Sequence, residues 1–75
     1  GTGIFNLKIF APDDDYCSVD IFNINGQNVF YQNKLDLLKG WQEHQIDLST
    51  NSDGVYNILL NSDKFEIQTK LVLIK

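Results

Sequence analysis

The feature that most constrains the fold is an alternation of apolar and polar residues through most of the chain. In the first such segment, Phe5, Leu7 and Ile9 are separated by Asn6 and Lys8. A repeat of two places side chains on one face of a β-strand, whereas a helix requires a repeat of about 3.6. No segment carries a convincing helical stripe. The pattern therefore predicts an all-β fold.

Turn-forming residues divide the alternating segments. Pro12 and the three aspartates after it end the first segment. Asn25-Gly26 ends the second, where it predicts a two-residue type I′ hairpin turn. The remaining breaks are polar clusters at 49–54 and 61–64 and an expected loop at 34–40, which together leave strands over residues 4–10, 17–24, 27–33, 41–48, 55–61 and 65–75. This spacing predicts a single domain over residues 1–75, an Ig-like antiparallel β-sandwich of about six to seven short strands.

The alternation also predicts which side chains share an apolar face. In the last strand the apolar residues change from one face to both over Leu71–Ile74, which predicts a bend or burial on both sides. Every earlier strand has one apolar face, and the members of these faces are Phe5, Leu7, Ile9, Val19, Ile21, Val29, Tyr31, His44, Ile46, Leu48, Tyr56, Ile58 and Leu60.

A chain of 75 residues and 8.6 kDa has room for one hydrophobic core. Cys17 is the single cysteine, so no disulfide within the chain supports that core. The longest apolar stretches fall far below the roughly 18 residues of a membrane span. Gly1-Thr2-Gly3 lacks the basic and apolar regions of a signal peptide, so an export signal would lie on a longer precursor or would have been removed.

Acidic residues outnumber basic ones, ten to six, which gives a net charge of −4 and a pI near 4.5. All six basic residues are lysines, so the chain has no arginine for bidentate phosphate recognition. Nucleic-acid binding requires a basic face. The composition therefore argues against a nucleic-acid partner.

Five short motifs follow one another along the chain. The opening strand Gly3–Ile9 precedes the hairpin Val19–Val29, in which both arms carry alternating apolar residues. The middle of the chain contains Ile46-Asp47-Leu48-Ser49 and then Asp53-Gly54-Val55-Tyr56. The chain closes on Lys70–Lys75. The order and spacing of the five motifs are together more specific than any one of them.

This succession strongly resembles the type A C-terminal sorting domain of the type IX (Por) secretion system, which is found on cargo proteins of Bacteroidota. The hairpin of that family reads roughly V-x-I-[FY]-[ND]-x-x-G-[QR]-x-V, and its middle reads I-D-L-S followed by G-[VI]-Y. It ends in K-[KL]-[IV]-[VL] with a terminal lysine. The Pro-Asn-Pro that usually precedes its first strand is not in this sequence. The resemblance implies a sorting-signal motif formed by Gly26, Asp47, Leu48, Gly54, Tyr56, Lys70, Leu71 and Lys75.

The resemblance implies a secretion signal and not an enzyme, with no cofactor and no metal. The domain would be the last one of a larger precursor. It would direct this cargo through the periplasm and across the outer membrane, to the cell surface or the medium. Its partners would be components of the outer-membrane type IX translocon and a sortase-like cysteine protease that often removes the domain upstream of its first strand. The cargo would then be attached to an anionic lipopolysaccharide or released.

Most motif residues also have a structural explanation. Gly26 and Gly54 suit left-handed turn positions. Tyr56 suits a tyrosine corner, in which a buried ring places its hydroxyl on a backbone group. Lys70 and Lys75 would either protect the edge of the last strand or belong to a segment that the export machinery pairs with by β-augmentation. An exposed edge would also allow weak self-association.

Two further groups of residues bear on metal binding and catalysis. The run Asp13–Asp15, with Asp20 nearby, matches no calcium loop and predicts a solvated acidic turn. Cys17 and His44 form a formal dyad, but negative neighbours suppress the thiolate, and a metal site would lack two ligands. We therefore expect neither a catalytic site nor a metal centre.

The alternative function is an Ig-like module that binds carbohydrate or protein and is appended to a surface enzyme or adhesin. Trp41, Tyr31 and Tyr16 would form an exposed platform for sugar rings, and the eight asparagines offer amides to sugar hydroxyls. The opposing interpretation is that Trp41 covers one mouth of the sandwich.

Overall fold

A computed structural model describes residues 3–74. Within this range the chain consists of strands and turns, and it contains no helix with the length and apolar character of a membrane span. The strands are β1 (Ile4–Ala11), β2 (Asp15–Phe22), β3 (Asn28–Leu37), β4 (Gly40–Asp47), β5 (Gly54–Asn61) and β6 (Glu66–Leu73).

The six strands form two antiparallel sheets. β1 pairs with β4, and the other strands form a four-stranded sheet in the order β3-β2-β5-β6. Buried side chains from both sheets belong to a single core. The predicted antiparallel β-sandwich of six strands is therefore confirmed.

The central strand β2 supplies the most deeply buried side chains. Val19 and Ile21 are 1% and 0% exposed, and their register partners on β5 are Leu60 and Ile58. The predicted apolar faces of β1, β2, β4 and β5 all point toward this core. The other buried members described by the structure are Ile9, Ala11, Cys17, Leu35, Leu37, Ile46, Leu48, Tyr56 and Leu73.

The prediction that residues 34–40 form a loop is wrong, because β3 continues to Leu37. Leu35 and Leu37 are buried at odd-numbered positions. Phe30, at an even-numbered position of the same strand, also packs against the core. A register shift interrupts the β2–β3 pair just after Cys17. An extra residue in a strand exchanges the inward and outward positions beyond it. The apolar residues of β3 therefore share no common repeat of two along their whole length.

The prediction for the last strand is partly wrong. β6 ends at Leu73, and Lys75 lies outside the described residues. Burial on both faces does not occur, because Val72 and Ile74 are 62% and 69% exposed. The strand pleat explains the exposure of Val72, since the side chain of the next residue, Leu73, is buried, and Val72 and its register partner Val55 lie on the opposite, outer face of the sheet.

The β2–β3 connection is a hairpin, as predicted, but the type I′ turn is wrong. That turn needs two positive φ angles, and in residues 3–74 only glycines have one; Gly26 has a φ of 80°. The Gly26 N–H donates to the Asn23 carbonyl, and the Asn23 N–H donates to the Gln27 carbonyl, each at 3.0 Å. This is a three-residue loop with a glycine bulge. The Asn23 side chain holds it, because its Oδ1 accepts from the N–H groups of Asn25 and Gln27.

Gly3 joins the start of β1 to the segment that follows β4. Its carbonyl accepts a hydrogen bond of 2.8 Å from the Leu48 N–H, and its φ is 84°. A Cβ added here would lie 2.7 Å from the Cα of Ser49, closer than Cβ atoms approach backbone in proteins. The conformation and the close approach both require glycine.

Gly3→Ala and Gly26→Ala form a matched test of this close approach. Both place a Cβ on a left-handed backbone, which costs about 1–2 kcal/mol. At Gly26 no heavy atom lies within 4 Å of the added Cβ, whereas at Gly3 the backbone must move. We expect Gly3→Ala to lower the free energy of unfolding by about 1 kcal/mol more than Gly26→Ala, measured in urea. Equal losses would contradict a tight Gly3 contact.

Candidate functional site

Asp47, Leu48 and Ser49 form the turn by which the chain leaves the two-stranded sheet. Leu48 is completely buried, and its carbonyl accepts a hydrogen bond of 2.9 Å from the Asn51 N–H. Asp47 Oδ1 accepts a hydrogen bond of 2.8 Å from the Ser49 N–H. These contacts account for the I-D-L-S motif, because the leucine anchors the turn in the core and the aspartate fixes its backbone.

Asp47 also carries a perturbed carboxyl group. Hydrogen bonds from the side chain and then the backbone of Ser49 lower its pKa, against a smaller opposing effect of desolvation. The Asp47 side chain is exposed, as is Ser49. The turn therefore presents a fixed negative charge next to the contact between Leu48 and Gly3.

Tyr56 forms the predicted tyrosine corner. Its ring is 5% exposed, and its hydroxyl donates a hydrogen bond of 2.5 Å to the carbonyl of Ser52. Ser52 lies four residues upstream, so the bond links the β4–β5 loop to the start of β5. The expected backbone partner for the buried hydroxyl is thus confirmed.

Four of the motif residues lie on the β5–β6 pair, Gly54 and Tyr56 on β5 and Lys70 and Leu71 on β6. Tyr56 is the register partner of Leu71, which packs against the core, and Gly54 is the register partner of Leu73. Lys70 precedes Leu71 and is exposed. Gly54 has a positive φ of 156°, which residues with a Cβ rarely adopt, so the predicted requirement for glycine at the start of β5 is confirmed.

The β2–β3 hairpin reaches the same region of the molecule. Gly26 and Lys70 both line an open cavity of about 530 Å³ on the four-stranded sheet. Gly54 and Tyr56 line a neighbouring cavity of about 330 Å³, between this hairpin and the β4–β5 loop. Seven motif residues therefore lie toward one end of the sandwich, while Lys75 lies outside the described residues: Gly26, Asp47, Leu48, Gly54, Tyr56, Lys70 and Leu71.

An exposed apolar patch at the end of β6 was not predicted from the sequence. This β6 terminal patch consists of Val72, its register partner Val55 and Ile74, which directly follows the strand. Their exposed fractions are 62%, 40% and 69%. The signal in the sequence is the uninterrupted apolar run 71–74. Burial on two faces and exposure at a sheet edge produce the same run, so the pattern alone does not separate them.

A comparison with known protein families identifies the family of this chain. A family model described as the secretion system C-terminal sorting domain matches residues 1–75. The chain belongs to this family. No curated protein and no solved structure matches it. The resemblance of the motifs to the type IX (Por) secretion family is thereby confirmed.

Membership of the family establishes the general function. The chain is a non-catalytic sorting domain that acts as a secretion signal for a cargo protein. A domain of this kind interacts with the secretion machinery, and its cargo is secreted or carried to the cell surface. The predictions of a sorting function and of no enzyme activity are confirmed on this basis.

Cys17 and His44 lie on different sheets of the sorting domain, on β2 and β4. Burial and, to a smaller extent, the charge of Asp15 raise the pKa of the Cys17 thiol. His44 Nε2 lies 3.3 Å from Gln42 Oε1. Within residues 3–74, no three His, Cys, Asp or Glu side chains come close enough together to hold a metal ion.

The acidic run after Pro12 has a structural role in the sorting domain. Asp14 Oδ1 accepts a hydrogen bond of 2.8 Å from the Lys39 N–H, and Asp15 Oδ1 accepts one of 2.8 Å from the N–H of Tyr16. The first of these bonds links the β1–β2 turn to the β3–β4 turn. The run is therefore a solvated turn that also orders its neighbour.

The predicted platform of three aromatic side chains is wrong. Trp41 lies on the two-stranded sheet, whereas Tyr16 and Tyr31 lie on the four-stranded sheet. All three are exposed, and the outer faces of two packed sheets point away from each other. Trp41 does not cover a mouth of the sandwich either, because 76% of it is exposed and its ring contacts Phe10.

Tyr56→Phe removes the hydroxyl of the corner and keeps the ring. We expect the free energy of unfolding to fall by about 0.5–1.5 kcal/mol, because one hydrogen bond is lost while the packing remains. The matched control is Tyr31→Phe, since the Tyr31 hydroxyl bonds to Asn33 on an exposed surface. Its loss should stay within about 0.5 kcal/mol in the same urea titration. Equal changes would contradict a stabilising corner.

The Asp47 turn should weaken in acid. Folding lowers the pKa of Asp47, so its stabilising contribution is present above the ordinary value of 3.8 and is lost as the pH falls through the lower folded value. An NMR titration should find this carboxyl below its ordinary pKa. Ser49→Ala should raise that pKa, because the Ser49 hydroxyl is the largest cause of the shift. A titration curve that is the same in both proteins would contradict the assignment.

Proposed function

We propose that the secretion machinery recognises this sorting domain through the free edge of β6 and the β6 terminal patch. The observation that supports the proposal is the position of β6, which is the last strand of its sheet and, among residues 3–74, pairs with β5 alone. Val72 and Ile74 contribute little to the core because most of their surface is exposed. An edge strand that ends in exposed apolar side chains suits a receptor that adds a strand.

The charges on β6 support a selective edge. Lys70 is exposed in the strand, and such a charge discourages indiscriminate pairing between sheet edges. Beyond Lys70 no charged residue occurs up to Ile74. Pairing over this uncharged segment would bury Val72 and Ile74 together with the backbone groups of the edge. The same edge would support weak self-association when no receptor is present.

The placement of the motif residues supports a signal that is recognised in the folded state. Leu48 and Tyr56 are buried, so a receptor cannot contact them without unfolding the domain. They instead hold the β4–β5 loop and the β5–β6 pair in shape. The outer-membrane type IX translocon would therefore recognise a folded surface, with Gly26 and Lys70 lining its cavity.

The remaining steps involve the rest of the precursor. The 75-residue chain would be the last domain of a larger exported protein that passes through the periplasm. A sortase-like cysteine protease would cut before β1, outside the strand pairs of the sandwich, and would leave the domain intact. The cargo would then be attached to an anionic lipopolysaccharide or released into the medium.

An export assay tests the role of the patch. A periplasm-targeted fluorescent protein carrying residues 1–75 would be expressed in a bacterium that has the secretion system. The test variant is Val72→Lys with Ile74→Lys, which places charge on exposed positions and leaves the core side chains unchanged. We expect the parent fusion to reach the surface or medium and this variant to stay in the periplasm.

The matched control for the export assay is Leu38→Lys, because Leu38 is 70% exposed in the β3–β4 turn, away from β6. This variant should be exported like the parent. Circular dichroism and urea unfolding of the purified domains would show whether all three are folded. Export of a folded Val72→Lys, Ile74→Lys variant at the parental level would contradict the proposal.

A further inference from the structure

The outer face of the two-stranded sheet has a composition that the sorting function does not explain. Register pairs across β1 and β4 bring together Phe10 with Trp41, Lys8 with Glu43, and Asn6 with Gln45. All six residues are exposed. We call the part of this surface formed by these three pairs the β1–β4 outer face; the fourth outward pair, Ile4 with Asp47, lies at the opposite end of the sheet from Trp41.

The aromatic pair occupies one end of this face. The ring centroids of Phe10 and Trp41 are 5.3 Å apart, and the ring planes meet at 59°. Trp41 is 76% exposed, although burial of a large aromatic side chain is energetically favourable. The contact with Phe10 limits the movement of Trp41 and leaves most of its indole surface open. Exposed and ordered aromatic surface is typical of a binding site.

Three polar side chains line a cavity together with Trp41. Lys8, Trp41, Gln42 and Glu43 line an open cavity of about 590 Å³. The Gln42 side chain is held in place, because its Nε2 donates to the Leu38 carbonyl at 2.7 Å and its Oε1 accepts from the Leu38 N–H at 3.1 Å. The ring of Trp41 therefore stands next to a fixed backbone and beside several hydrogen-bonding groups.

The charge of the face argues for a neutral ligand. Lys8 Nζ lies 3.8 Å from Glu43 Oε1, so the two charges offset each other. Both side chains are more than half exposed, and each retains capacity to hydrogen-bond with a ligand. The chain as a whole carries a net charge of −4, which disfavours an anionic ligand.

The size of the face argues for a small ligand and against a second protein. Each strand has eight residues. At about 3.4 Å per residue and about 10 Å for two strands, the face covers roughly 270 Å². A specific protein interface buries about 800 Å² on each partner. A short, neutral, polar molecule with one apolar surface fits these limits.

We propose that the β1–β4 outer face binds a neutral oligosaccharide. A pyranose ring stacks its C–H surface on the indole of Trp41, with Phe10 supporting the indole from the other side. Hydroxyl groups of this sugar and the next one bond to Lys8 and Glu43, and the amides of Asn6 and Gln45 extend the row. The site lies on a different sheet from β6, so the proposal does not depend on how the secretion machinery recognises the domain.

The test is an NMR titration of the 75-residue chain with four neutral hexasaccharides: cellohexaose, maltohexaose, mannohexaose and hexa-N-acetylchitohexaose, each at millimolar concentration. We expect at least one to shift backbone resonances of β1 and β4 in a saturable manner. Trp41 is the single tryptophan of the chain, so its fluorescence should change with the same midpoint. Trp41→Ala should weaken binding by about tenfold or more, and Trp41→Tyr should restore part of the affinity.

Tyr31→Ala is the matched control, because it removes an exposed aromatic ring from the other sheet. It should bind the sugar like the parent, and Trp41→Ala should be exported like the parent in the fusion assay. Failure of all four sugars to shift β1 and β4 would overturn the proposal. Shifts that persist unchanged in a folded Trp41→Ala variant would also overturn it, and would assign the aromatic pair to sheet stability alone.

Discussion

The interaction on which the rest of the structure depends is the pairing of β2 with β5. It joins two hairpins, β2–β3 and β5–β6, into one four-stranded sheet. Its register pairs Val19 with Leu60 and Ile21 with Ile58 are buried on the core side. A separate hairpin is at best marginally stable in water, and so is a two-stranded sheet such as β1–β4. Each of these three units therefore depends on the β2–β5 pair to provide a surface on which it can pack.

The repeat of two in the sequence predicts the core well wherever a strand keeps one register. It identifies Ile9, Ile21, Ile46 and Ile58 as inward residues, and the structure buries all four. It fails in β3, because an extra residue changes the inward positions between Phe30 and Leu35. Hydrophobic periodicity carries no sign of such a bulge until the register of the partner strand is known.

The candidate site is harder to predict than the core, because local patterns leave two of its features open. The turn at Gly26 depends on the side chain of Asn23, three residues away, which accepts two backbone hydrogen bonds and selects a loop that Asn-Gly alone does not specify. The exposure of Val72 depends on the outer face of the four-stranded sheet being uncovered, which the pattern of this one strand does not reveal. Tyr56 was predictable because a tyrosine near the start of a sandwich strand has a recurrent partner in the backbone upstream.

The motif residues and the exposed surfaces have different roles in this small domain. Leu48, Tyr56 and Asp47 maintain the shape of the loop and strand pair at one end of the sandwich. A sequence motif of this kind identifies the fold of the signal more directly than its contact surface. The side chains available for contact are found instead at β6 and on the β1–β4 outer face.

The burial of Cys17 has a consequence for a domain whose cargo is secreted or carried to the cell surface, because secreted proteins meet oxidising environments. A lone thiol there can form mixed disulfides with other proteins, and the thiolate is the reactive species. In the folded domain Cys17 is 1% exposed and its raised pKa disfavours the thiolate, so the thiol is protected by folding itself. An unfolded copy has no such protection, so an oxidant or the disulfide of another protein would react with its thiolate. The reactivity of the single thiol would therefore report whether a copy of the domain is folded.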